Sequence, residues 1–117
     1  MLVLTRRIGE ILWFDDNFTI KVLGIFSDSK ELITLEINDF NRSIIKFCYN
    51  DKFFNSKYVY YNRSLENPLK FVIEIGDYFI INKDIVIKML RRIRNQTTFG
   101  IDAPAHVNIL RGELKKD

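Results

Sequence analysis

The chain has 117 residues, of which 47% are hydrophobic and 28% charged, and it carries a net charge of +3. That balance excludes a disordered polymer, and no run reaches the roughly 20 apolar residues that a helix needs to cross a bilayer. Cys48 is the only cysteine and His106 the only histidine, which excludes an internal disulfide and a Cys/His zinc site.

Short runs of β-branched and aromatic residues, alternating with polar ones, predict strands throughout. In chain order they are Leu2 to Arg7, Ile11 to Phe14, Phe18 to Phe26, Leu32 to Ile37 and Ser43 to Tyr49. After a gap come Leu69 to Ile75, Tyr78 to Asn82, Ile85 to Ile93, Thr97 to Ile101 and Val107 to Arg111. Breaks are expected at Asp15-Asp16-Asn17, Ser27-Asp28-Ser29, Asn82-Lys83-Asp84, Arg94-Asn95 and Ala103-Pro104, where turn-forming residues cluster. Residues 51–68 between the two groups are too aromatic for a Gly/Ser linker, and predict a short helix or an extra strand. Pro68 holds Asn67 extended ahead of the second group. The closing GELKKD has room for one helical turn.

The two groups are copies of one another. Adding 67 carries Gly9 onto Gly76, Glu10 onto Asp77, Ile20 onto Ile87, Lys21 onto Lys88 and Leu23 onto Leu90. After a turn three residues longer in the first copy, an offset of 64 aligns Leu35 with Phe99, Ile37 with Ile101, Asn38 with Asp102 and Ile45 with Ile109. The shift falls in a turn and not inside a strand, as a true repeat requires. Units of this size bury little surface alone, so residues 1–50 and 69–117 are expected to pack together as one compact domain joined by the 51–68 connector. Charge is unequal between them. Residues 1–50 hold six basic and seven acidic side chains, and residues 51–117 hold twelve and eight, with Arg91, Arg92 and Arg94 clustered.

The opening MLVLTRRIGE, followed by FTIKVLGI at residues 18–25, resembles the start of the carbon storage regulator family (CsrA and its Rsm relatives). NQTTFGIDAPAHVNILRGE, residues 95–113, resembles the family's closing half, where a Gly-x-Asn-Ala-Pro-like turn leads to a last strand ending in Arg. The resemblance implies a mainly β fold with little helix, in which two five-stranded units interlock as a β-sandwich or barrel. Here both units lie in one polypeptide, an intrachain pseudo-dimer. It also implies a bacterial post-transcriptional regulator that binds GGA-containing hairpin loops in mRNA leaders or small RNAs and alters translation or message stability. Each family site joins the first strand of one unit to the last strand of the other.

By that rule the first site pairs Leu2 to Arg7 with Val107 to Arg111, the segments that keep the pattern. Arg6 and Arg7 supply charge and donors to the RNA backbone, and Arg111 makes the main charge-assisted contact to phosphate or a guanine edge. Leu4 and Val107 offer apolar surface to unstacked bases. Backbone groups at Thr5, Ala103 and Pro104 read base edges, and Ile109 and Leu110 complete the set. Asp102 stands where the family has Asn. The second site pairs Leu69 to Ile75 with Ser43 to Tyr49, but there Ile73 and Glu74 replace Arg6 and Arg7, Phe47 replaces Arg111, and EINDF replaces the GIDAP turn. Losing those charges removes the main source of RNA affinity, so one working and one dead site are expected.

Other readings are weaker. Trp13, Phe14 and Phe18 fit a core better than a base-stacking platform. Phe53, Phe54, Tyr58, Tyr60 and Tyr61 fit burial against the sheet better than a partner face. Glu31, Glu36 and Asp39 are scattered, and no catalytic set or phosphate-cradling loop is present, so an enzyme and a cofactor are not expected. The alternative function is a protein-interaction module, acting as partner, antagonist or competitor of an ordinary CsrA-type regulator or of a flagellar assembly factor. A second architecture treats residues 48–68 as an insertion and has two chains swap elements into a homodimer. The N-terminus has neither a signal-peptide nor a transit-peptide pattern, which places the protein in the cytoplasm, without a membrane partner.

Overall fold

The structure is a computed structural model, and it describes residues 1–25, 32–39, 44–51, 56–63 and 68–114. Among the described residues, eleven strands run in chain order: β1 (Leu2–Arg7), β2 (Ile11–Phe14), β3 (Phe18–Ile25), β4 (Leu32–Asp39), β5 (Ile44–Asp51), β6 (Ser56–Arg63), β7 (Leu69–Glu74), β8 (Tyr78–Ile81), β9 (Ile85–Ile93), β10 (Gln96–Asp102) and β11 (Ile109–Arg111). A single 3-10 turn, Gly112–Leu114, follows β11. All ten expected strands form, with ends displaced by at most two residues. Within the connector, residues 56–63 form an extra strand, β6. Phe26, the turn at residues 27–29, Glu31, Phe40, Ser43, Phe53, Phe54 and Asn67 lie outside the described residues.

Alternation explains the strands. In β4, Ile33, Leu35 and Ile37 point into the core and are at most 1% exposed, while the residues between them are half-buried. β2 and β8 repeat the same half-buried, buried pattern in four residues each. Phe14 and Phe18 are core residues, stacked with ring centroids 4.5 Å apart across the turn between β2 and β3. Each such side chain removed from water contributes roughly 1.5–3 kcal/mol.

The strands form two antiparallel sheets. Sheet A has the order β1-β10-β9-β8-β5-β6, and sheet B the order β11-β2-β3-β4-β7. The middle of sheet A therefore comes from the second copy and its flanks from the first copy and the connector. Sheet B is built the opposite way, and one apolar cluster draws on both sheets. Positions equivalent under the expected repeat have corresponding strand partners. Leu2 faces Ile101 where β1 joins β10, and Leu69 faces Ile37 where β7 joins β4. Ile109 faces Phe14, and Ile45 faces Ile81.

Turns correspond equally well. Gly9 and Gly76 both take positive φ, 88° and 95°, and donate to the carbonyls of Val22 and Met89 at 2.7 and 2.9 Å. A side chain would be strained in either place. Asp15 and Asn82, also at positive φ, each accept a bond from the backbone of the last strand of the other copy. Asn108 N donates to Asp15 Oδ1 at 2.9 Å and Ile44 N to Asn82 Oδ1 at 3.0 Å. Even the register shifts match, one passing Leu23 in the β3–β4 pairing and one passing Leu90 in the β9–β10 pairing.

Candidate nucleic-acid interface

β1 and β11 are end strands of different sheets, so they do not share a backbone ladder. Side chains bring them together. Arg6 alternates with Thr5 and Arg7 along β1 and turns inward, where it is 4% exposed. Its Nη1 donates to Glu113 Oε2 at 2.9 Å, its Nη2 to Glu113 Oε1 at 3.1 Å, and its Nε to the Thr5 carbonyl at 3.0 Å. This two-pronged contact ties β1 to the turn that follows β11. The hydrogen bond to Glu113 raises the pKa of Arg6 and, reciprocally, lowers that of the Glu113 carboxyl to about 2.

The structure thus separates residues that the sequence reading grouped. Arg7 and Arg111 are exposed, whereas the Arg6 guanidinium is engaged inside the protein. Leu4, Ala103, Val107 and Ile109 are partly buried against the core, and Pro104 and Leu110 are half-buried. The Thr5 hydroxyl meets the Thr98 hydroxyl at 3.0 Å. A tight turn, in which Val107 N donates to the Pro104 carbonyl at 3.0 Å, aims residues 103–107 at the start of β1. There a cleft of about 250 Å³ is lined by Leu2, Ala103, Pro104, Ala105, Val107 and Ile109. That is below the ~300–1,000 Å³ of ordinary small-molecule pockets. A larger opening, about 630 Å³, lies over Ile44, Lys46 and Ile80 and contains none of the residues predicted to bind.

Residues 69–117 match the model of the CsrA global regulator protein family. That segment, residues 69–117, is similar to the CsrA family. The chain is 44% identical over 43 residues to the "Translational regulator CsrA" of Thermotoga petrophila, and likewise to those of Thermotoga maritima and Thermotoga sp. strain RQ2. Each alignment takes in 37% of this chain and 52% of the relative, so the chain spans about half the length of the curated relatives it matches. No solved structure matches. The matched family segment contains the GIDAP turn but not the opening decapeptide.

Compared with the β1/β11 edge, the place equivalent under the expected repeat is filled. Ile73, at the position of Arg6, is 1% exposed, and Phe47, at the position of Arg111, is 4% exposed. Phe71 stands for Leu4 and lies 4.7 Å from Phe47, with Phe79 5.4 Å from Phe71 and 6.0 Å from Phe47. Three rings therefore occupy what is, in the first half, the seam between Leu4, Leu12 and Arg111. The position of Glu113 is taken by Tyr49, so both members of the ion pair are replaced together. β5 also has strand partners on both sides, β8 and β6, while among the described residues β11 pairs with β2 alone and ends its sheet.

Glu113 was missed in the sequence. No spacing rule links it to Arg6, 107 positions earlier. The burial of Arg6, however, had a signal, because the repeat puts an isoleucine in its place.

Proposed function

We propose that this chain is a CsrA-type RNA-binding translational regulator that holds one GGA-containing hairpin loop at the β1/β11 edge. The observation that carries the reading is the inequality of two equivalent edges. β11 keeps an outer edge with no strand against it among the described residues, flanked by exposed Arg7 and Arg111. Unpaired backbone groups on such an edge can bond to base edges, and arginines draw in phosphate. The cleft under residues 103–107, where Leu2, Val107 and Ile109 stand beside Asp102, offers a mixed apolar and polar recess for an unstacked base. The corresponding β5 edge is covered by β6, and among the described residues neither β5 nor β7 carries an arginine. The name that the Thermotoga relatives carry supports the same function. In this reading residues 1–50 and 69–117 are two repeats forming one pseudo-dimeric domain, and the connector seals its second edge.

Titration of a GGA-loop hairpin, and of the same hairpin with the triplet changed, tests the proposal. Arg111→Ala lowers affinity for the GGA hairpin roughly 10- to 100-fold, the range of a lost bidentate base contact. Lys46→Ala, on the filled side, stays within about two-fold. Equal binding of both hairpins by the wild type defeats GGA recognition. No RNA binding at low salt hands the face to a protein partner.

A further inference from the structure

The arginines of β9 are divided by strand alternation. Arg92 sits in the row Arg6–Thr97–Arg92, which turns toward the core. Arg91 belongs to the row Thr5–Thr98–Arg91 on the opposite, outer face of sheet A. Its Nε lies 3.5 Å from the Thr98 hydroxyl, which itself meets Thr5. Two neighbouring rows are Arg7–Gln96–Ile93 and Val3–Gly100–Lys88. Arg94 occupies the two-residue loop just beyond Ile93, with φ of 54°. Arg7, Lys88, Arg91 and Arg94 are all exposed, and these three rows contain no carboxylate.

The repeat provides an internal control. The equivalent rows on sheet B are Glu74–Leu32, Val72–Thr34–Gly24 and Lys70–Glu36–Lys21. Arg7 has become Glu74, Arg91 has become Gly24, and Glu36 lies between Lys70 and Lys21, where opposite charges attract across the strands. Two positive and two negative charges remain there, against three positive and none in the matching rows of sheet A. The positive face is the one continuous with the open β1/β11 edge, through Thr5 and Arg7 of β1 itself. Adjacent strands are about 4.8 Å apart, so the arginine row of β9 lies roughly 10 Å from β1.

We propose that the outer face of sheet A, from Arg7 across Arg91 to Lys88 with Arg94 at its end, is a phosphate-binding surface for the RNA flanking the loop held at the β1/β11 edge. The proposal rests on the RNA reading of that edge and adds a second contact zone to it. A chain with a single site loses the gain of two linked sites, and extra phosphate contacts raise the affinity of the one that is left. Because these contacts are to backbone, they strengthen binding without altering which loop is chosen.

Two hairpins with the same GGA loop, one with a short stem and one with a stem extended by a helical turn, are titrated at several salt concentrations. The variants are Arg91→Gln/Arg94→Gln and, as control, Lys21→Gln/Lys70→Gln. The arginine pair is expected to lower affinity for the long hairpin and reduce the slope of log K against log salt by about 2. Its disadvantage against wild type should then shrink about ten-fold between 50 and 200 mM salt. Binding of the short hairpin should not change, nor should the lysine control change either. An unchanged slope on the long hairpin overturns the proposal and leaves the face to a protein partner. A control that costs as much as the arginine pair overturns it too, because net charge alone would then account for the loss. Failure of the underlying site reading is recognised separately, by wild type that ignores the GGA triplet or by Arg111→Ala that binds normally.

Discussion

At the scale of residues, the contact between Arg6 and Glu113 decides how the proposed site is held. Arg6 is buried and its partner half-exposed, so removing the carboxylate leaves a cation out of water with, among the described residues, Glu10 at 3.9 Å to balance it. Lysine is a poor replacement for arginine here, since it cannot reproduce the two-pronged geometry. Glu113→Gln and Arg6→Lys are therefore expected to weaken GGA binding on the order of ten-fold while leaving the salt slope unchanged, because neither removes a phosphate contact. Arg7→Ala, by contrast, should lower the slope by about 1. The pH dependence follows from the carboxyl. Its pKa is lowered from 4.5 to about 2 by the hydrogen bond from Arg6, so its stabilising effect is complete above 4.5 and is lost as pH falls through 2. Thermal melts should show wild type above Glu113→Gln near neutrality, with the gap closing across that acid window. A gap that persists unchanged at the acid end would show that the carboxylate is not the origin of the difference.

Among elements, β6 accounts best for the inequality of the two edges. Period-two patterning made ten strands legible, because each buries one face and alternation is then visible in the letters. The connector was less so. Its aromatic residues promised packing, but nothing local distinguished a helix from a strand, since the choice is made by the free edge of β5 that it meets. Arg6 shows the same limit at one position, where parity with Leu4 along β1 points inward but the partner lies at the far end of the chain. Replacing residues 56–63 by a Gly/Ser segment of equal length should expose the β5 edge, lower the melting temperature and promote self-association, as unpaired edges do. RNA stoichiometry should remain one, because Ile73 and Phe47 still fill the seam where Arg6 and Arg111 would be needed. A second RNA bound by this variant would mean that β6 alone silenced the site.

For the whole molecule, interlocking of the strands bears on the expected oligomeric state. Each sheet takes its central strands from one copy and flanking strands from the other, so neither half completes its sheets alone. The same contacts would form if two chains exchanged halves, and the pairing energies do not distinguish the arrangements. Connectivity does. Copies joined by a short connector meet at an effective concentration in the millimolar range, far above the micromolar concentrations of ordinary solution work. A monomer of 13.9 kDa is therefore expected by light scattering, unchanged on dilution, and it should take up one GGA hairpin per chain. The single site proposed would also mean no bridging of two motifs on the same transcript. An RNA carrying two GGA hairpins should bind no more tightly than one hairpin, apart from the two-fold statistical advantage of having two targets. A larger gain, or a mass of two chains that persists on dilution, would place the proposed site between chains and not within one.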